Sequence, residues 1–104
     1  MRNEILFGKV TAREPDGEAM CLEYYMVPDP VSDEYSDIVN YGVKIKQVNS
    51  APGGNRTVEV KQIDNVFYRE CDARAFMRFI TKNAVTPLIL GEVVEDYIAE
   101  SVTL

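Results

Sequence analysis

The hydrophobic pattern of this chain changes period once, near Asp72, and that single change limits the fold more than any other feature. Before it, apolar residues recur at every second position, as in half-buried strands. After it they recur at three- and four-residue spacings, the stripe of an amphipathic helix. A chain that makes this change once builds its sheet and its helices in separate blocks, which is the α+β class.

EILFGKVTA (4–12) and AMCLEYYMV (19–27) read as two strands joined at Pro15-Asp16-Gly17. YGVKIKQV (41–48) sets Tyr41, Val43 and Ile45 against Lys44 and Lys46, and TVEVKQI (57–63) sets Val58 and Val60 against Glu59 and Lys61. NSAPGGN joins these two, with Gly53-Gly54 at its tip. Lys44 and Lys46 are expected to face Glu59 on the solvent side, each pair contributing about 0.2–1 kcal/mol. Between the hairpins, PDPVSDEYSDIVN (28–40) carries two prolines that cannot donate to a ladder, so it reads as an excursion and not a strand. Ala73, Phe76, Met77, Ile80 and Ala84 form the first helix stripe, with Asp72 or the turn before it as cap and Asn83 as stop. Thr86-Pro87 opens a second helix with Leu90, Val93, Val94, Tyr97 and Ile98 on its covering face. The expected architecture is a four-stranded antiparallel meander, β-β-β-β-α-α, with two C-terminal helices packed on one face.

At 104 residues the chain is expected to form a single domain, 1–104, with enough core to need no disulfide or metal. Its net charge of −6 opposes nucleic acid and anionic membranes, so neither is expected as a partner. Cys21 and Cys71 lie far apart without CxxC spacing and read as buried, reduced thiols. MRNEILFGKV lacks the apolar run of a signal peptide, and no stretch approaches the roughly 20 apolar residues of a membrane span. A cytoplasmic location is expected. Histidine is absent, which removes Ser–His and Cys–His nucleophile activation and most zinc sites. No cofactor, no metal and no catalysis are expected. Asp33, Glu34 and Asp37 lack the alternating ligands and glycine of a calcium loop and read as solvated.

Charge is segregated along the chain. Residues 13–37 hold eight acids against Arg13 alone, residues 40–82 hold eight bases against four acids, and residues 83–104 hold four acids and no base. Mutual neutralisation in three dimensions is the plainer reading. On the helices, Arg74, Arg78 and Lys82 form one stripe, and Glu92, Asp96 and Glu100 form another. With both apolar stripes on one sheet, the two charged stripes point to the same side and do not meet. The acidic stripe is then available to a basic protein surface or to the basic stripe of a second copy. The first two strands are apolar on both faces: Ile5, Phe7 and Tyr25 lie opposite the faces that the helices cover. Tyr35, Ile38 and Val39 from the excursion, or another chain, must hide them, and a homodimer is the expected solution.

The segments YGVKIKQ and VTPLILGEVVEDYI, in that order in a chain of this size, resemble an uncharacterised family of short Gram-positive bacterial proteins. That family has a similar Tyr-Gly-aliphatic strand and a C-terminal Pro-aliphatic-x-Leu…Val-Val-Glu-Asp helix. The resemblance covers the last two-thirds of the chain. It implies no activity, since the family is a domain of unknown function. Gly91 departs from the pattern and weakens its helix by up to about 1 kcal/mol.

Three functions remain open at this level. The first is a protein-interaction or regulatory module acting as a homodimer through Glu92, Asp96, Glu100, Ile5, Phe7 and Tyr25. The second is a small-ligand domain with a pocket between sheet and helices lined by Tyr24, Met26 and Phe79. The third is a single-strand nucleic-acid binder using Tyr24, Tyr25 and Tyr41 beside Lys44, Lys46 and Lys61.

Overall fold

The computed structural model describes residues 4–32 and 37–102, with side chains over 4–30 and 39–100. Among these residues the chain forms β1 (Ile5–Arg13), β2 (Ala19–Ser32), β3 (Asp37–Ser50), β4 (Arg56–Phe67), α1 (Glu70–Lys82), a 3-10 turn (Pro87–Ile89) and α2 (Leu90–Val102). The sheet runs in order β1-β2-β3-β4, antiparallel throughout. This is the α+β meander with trailing helices expected from the change of period. The tight turns at Glu14–Gly17 and Ala51–Gly54 each end on a glycine at positive φ, 93° and 90°.

The core lies between the helices and one face of the sheet. Leu22, Tyr24 and Met26 of β2 and Val43 and Ile45 of β3 meet Ala73, Phe76, Met77 and Ile80 of α1, with Leu90 and Val94 of α2 beyond them. All of these are fully buried except Val94, which is nearly so. Four rings join α1, α2 and the end of β4: Phe76 lies 5.3 Å from Phe67 and 4.9 Å from Tyr97, and Phe79 lies 5.4 Å from Tyr97. α2 therefore covers the core of its own chain through one face.

Residues 28–40 correct the sequence reading. Most of this segment is strand: β2 continues through Pro28 and Pro30, which sit opposite Tyr41 and Val39 of β3. Among the described residues β1 pairs no further along β2 than Met26, and from Pro28 onward β2 has no described neighbour on that side. Prolines two apart share one backbone direction, and on an edge the missing N–H faces no partner strand. Of the residues expected to cover the sheet, Tyr35 lies outside the described residues and the Ile38 side chain is likewise not described; Val39 is half-buried.

Two irregularities reset the strand faces. A bulge between Leu6 and Gly8 turns Phe7 toward the core, against which it packs, so Phe7 is not an outward residue as expected. A second, in β4 between Ile63 and Phe67, lets the backbone cross close over Gly42, where an added Cβ would lie 2.8 Å from the Ile63 carbonyl oxygen. The Tyr-Gly motif of β3 is thereby explained: a side chain at 42 has no room.

The helices begin and end for local reasons. α1 starts at Glu70, two residues earlier than expected, with Arg69 at the cap position and no side-chain cap. Asp72 sits in the first turn beside Glu70, where the helix dipole favours acids. Asn83 does stop the helix, but Ala84 lies beyond it at φ 49° instead of completing the apolar stripe. The Val85 and Ala84 amides donate to the Ile80 and Thr81 carbonyls, the paired bonds of a Schellman motif, and Val85 and Ile80 both enter the core. Thr86 occupies the cap of the next turn without a side-chain bond, followed by Pro87.

Alanine in the left-handed region is strained, and glycine is not. Ala84→Gly is expected to raise stability by about 0.5–1 kcal/mol, or roughly 2–8 °C in Tm by calorimetry. A lowered Tm would mean that the turn is not held in this conformation.

Candidate functional site

The helices cover one face of the sheet; the other carries no helix, and on it Val27 and Val48 are buried while Val58, Val60 and Leu6 are exposed. Residues directly opposite in a ladder share a face, so the registers arrange this second face into four rows across the strands. The rows are Leu6-Tyr25-Lys44-Gln62, Lys9-Glu23-Lys46-Val60, Thr11-Cys21-Val48-Val58 and Arg13-Ala19-Ser50-Arg56. The third row carries no charge, and the rows on either side of it hold Lys9, Lys46, Arg13 and Arg56. Within these four rows five bases stand against one acid, Glu23, with Glu4 beside them paired to Lys44, in a chain whose acids outnumber its bases, 17 to 11. A concavity of about 570 Å³ opens over these rows, lined by Lys9, Arg13, Cys21, Lys46, Val48 and Arg56 among others.

Aliphatic side chains are exposed here to an unusual degree. Val58 and Val60 are 54% and 53% accessible, and Leu6 is 52% accessible. Tyr25 is half-buried, with the Lys44 ammonium 5.4 Å from its ring centre, and Lys44 also pairs with Glu4 at 2.8 Å. The Tyr25 phenol is pushed above its ordinary pKa by burial first, then by the charge and hydrogen bond of Glu23. Cys21 and Cys71 are free thiols but not buried ones as expected: Cys71 is exposed, and Cys21 is half-buried within the uncharged row.

The expected pairing of Lys44 and Lys46 with Glu59 is reversed. Val60 stands opposite Lys46, while Glu59 stands opposite Gln47 on the helix side. Alternation along β4 gave the two faces correctly but not which one turns inward, because the helices do not reach over this part of the edge strand. Glu59 and Lys61 are consequently exposed although they lie on the helix side.

The other sequence candidates are scattered. Ile5 stands opposite Met26, Phe7 packs on the core, and Tyr25 lies on the helix-free face, so these three form no common patch. Tyr24 and Met26 are fully buried, the Tyr24 hydroxyl donates to the Val85 carbonyl at 2.8 Å, and Phe79 is 42% exposed. With its core ends close-packed, that trio lines no shared cleft among those described. Of the three tyrosines proposed for base stacking, Tyr25 alone faces outward; Tyr24 and Tyr41 face the helices. Glu92, Asp96 and Glu100 are exposed along α2, and Arg74 of α1 pairs with Glu70 at 3.7 Å and not with them. Asp33 and Glu34 lie outside the described residues. Among the described residues no three His, Cys, Asp or Glu side chains gather as a metal site, and no helix is long and apolar enough to cross a membrane.

Sequence reading did not find the grouping of Lys9, Arg13 and Arg56 with Lys46. These bases lie up to 47 positions apart in the chain, and only the register of four strands brings them together.

No curated protein and no solved structure matches this chain. The model of a family of unknown function, DUF6514, matches residues 3–100, which extends well beyond the two-thirds that carry the Tyr-Gly strand and the Val-Val-Glu-Asp helix. The chain belongs to that family of unknown function.

Proposed function

We propose that the protein is a cytoplasmic protein-interaction module that holds an extended acidic segment of a partner protein on the helix-free face of its sheet. One observation carries this reading: an uncharged Thr11-Cys21-Val48-Val58 row between two basic rows, on a chain of net charge −6. An extended peptide alternating aliphatic and acidic residues complements such a surface, its aliphatics on the central row and its carboxylates toward Lys9, Lys46, Arg13 and Arg56. The free thiols support a reducing compartment. A protein segment suits the face better than single-stranded nucleic acid, since one outward tyrosine provides a single stacking surface and the whole-molecule charge repels a polyanion. Two copies of this face do not suit each other, because a self-complementary contact would set Lys9, Arg13, Lys46 and Arg56 against the same four. Self-association belongs to another surface.

The test is fluorescence anisotropy with a short peptide of alternating Glu and Val, beside an oligonucleotide of equal length. The peptide is expected to bind more tightly at low salt, and Lys46→Glu is expected to weaken it roughly tenfold, two charge contacts being altered. Equal binding by the variant would remove this face from consideration. Preferential oligonucleotide binding would replace the reading with the nucleic-acid one.

A further inference from the structure

β4 is the outer strand of the sheet beyond β3, and its first half is exposed on both faces from Arg56 to Lys61. Such a strand presents N–H and C=O groups to any chain that can pair with it. Natural edges are commonly blunted by proline, by bulges or by charges pointing toward the covered side. From Arg56 to Ile63 β4 has neither proline nor bulge, and its two charges on the helix side, Glu59 and Lys61, have opposite signs.

The order of residues in this strand is complementary to itself. If two copies pair antiparallel about Val60, then Val60 meets Val60, Glu59 meets Lys61, Lys61 meets Glu59, and Thr57 meets Ile63. Both ion pairs form across the two-fold axis at once. Shifting the centre to Glu59 sets Glu59 against itself, and shifting it to Lys61 sets Lys61 against itself. One register is therefore favoured and its neighbours are penalised by like charges directly opposite. Neither Glu59 nor Lys61 makes an ion pair within its own chain among the described residues.

We propose that two copies of this chain associate through β4, antiparallel about Val60, to form one continuous eight-stranded sheet. Opposite residues share a face, so both pairs of helices lie on one side and both helix-free faces lie on the other. Val58 and Val60 then form a four-valine strip across the junction. On the helix side, the 3-10 turn packed over β3 and β4 brings Leu88, 87% exposed, and Ile89, 41% exposed, beside the same strand. The inference does not depend on what the helix-free face binds. A sheet of any charge could pair through this strand.

Sedimentation of the full-length chain over a dilution series tests it. The wild type is expected to dimerise. Glu59→Lys and Lys61→Glu, each placing like charges opposite one another, are expected to raise Kd roughly tenfold or more. The double variant Glu59→Lys/Lys61→Glu restores both pairs in mirror order and is expected to dimerise again. A one-to-one mixture of the single variants is expected to form a heterodimer. Hydrogen exchange needs no variant: alternate β4 amides between Thr57 and Ile63 should become protected as concentration rises. A wild type that stays monomeric overturns the proposal, and so do single variants that dimerise normally. Failure of the double variant or the mixture to recover, or exchange independent of concentration, does the same.

Discussion

Phe76→Ala is expected to destabilise the protein by about 3–5 kcal/mol, a large part of the 5–15 kcal/mol that typical domains possess. Phe76 is fully buried at the junction of three elements, with Phe67 of β4 at 5.3 Å and Tyr97 of α2 at 4.9 Å. Alanine loses the transfer energy of the ring and leaves a cavity that a sheet and two helices cannot close together. It also removes two close ring pairs, each worth roughly 0.5–1.5 kcal/mol beyond area. Phe79 provides an internal control. It lies on the same helix and touches the same Tyr97 at 5.4 Å, yet is 42% exposed. Phe79→Ala should therefore cost far less. Urea unfolding followed by far-ultraviolet circular dichroism measures both. Equal losses would show that α2 does not seat Tyr97 between the sheet and α1.

Tyr24→Phe is expected to cost about 1–3 kcal/mol although it removes a single oxygen. The Tyr24 hydroxyl donates to the Val85 carbonyl at 2.8 Å in a fully buried position, and phenylalanine leaves that carbonyl without its donor. The same group sets an alkaline limit. Burial pushes the Tyr24 phenol up to about 12, against an ordinary value of 10.0 in the unfolded chain. Between these values the folded protein keeps a proton that the unfolded chain gives up, so stability is complete below about pH 10 and falls as pH rises toward 12. At 1.36 kcal/mol per unit, the two-unit gap corresponds to about 2–3 kcal/mol. The raised Tyr25 phenol adds a component of the same sign. Urea melts between about pH 8 and about pH 12 should show this slope in the wild type and most of it removed in Tyr24→Phe. An unchanged slope in the variant would assign the alkaline loss to other groups.

These two positions also show what a sequence reader can reach. Helical spacing places Phe76 inward, whereas strand alternation groups Tyr24 with Leu22 and Met26 without deciding which face of a strand apolar on both sides the helices cover. The β-β-β-β-α-α order followed from the same two periods. Legibility fails where an effect is made by several segments together. Pro28 and Pro30 argue against a strand locally, yet a long β3 partner on one side admits one. Phe7 changes face at a bulge beside Gly8, a glycine whose place inside the strand is the one sign of it in the sequence. Ala84 fits the helix stripe, and its left-handed turn is favoured by bonds from the Ala84 and Val85 amides to Thr81 and Ile80, which the apolar spacing does not show. The candidate site illustrates this most strongly. The acidic stripe of α2 could be written down from spacing alone because it lies on one helix. The basic face needs three ladders in register before Lys9, Lys46 and Arg56 become neighbours.

The placement of both helices after the whole sheet has a consequence for biosynthesis. A ribosome delivers all four strands first, and at roughly 5–20 residues per second the 33 residues from Glu70 to Val102 follow over several seconds. Until α1 has emerged, Leu22, Tyr24, Met26, Val43 and Ile45 lack the helix that covers them. The nascent sheet emerges as a sticky half-domain, open to chaperones and to neighbouring nascent chains. Premature termination before Glu70 would make that transient condition permanent.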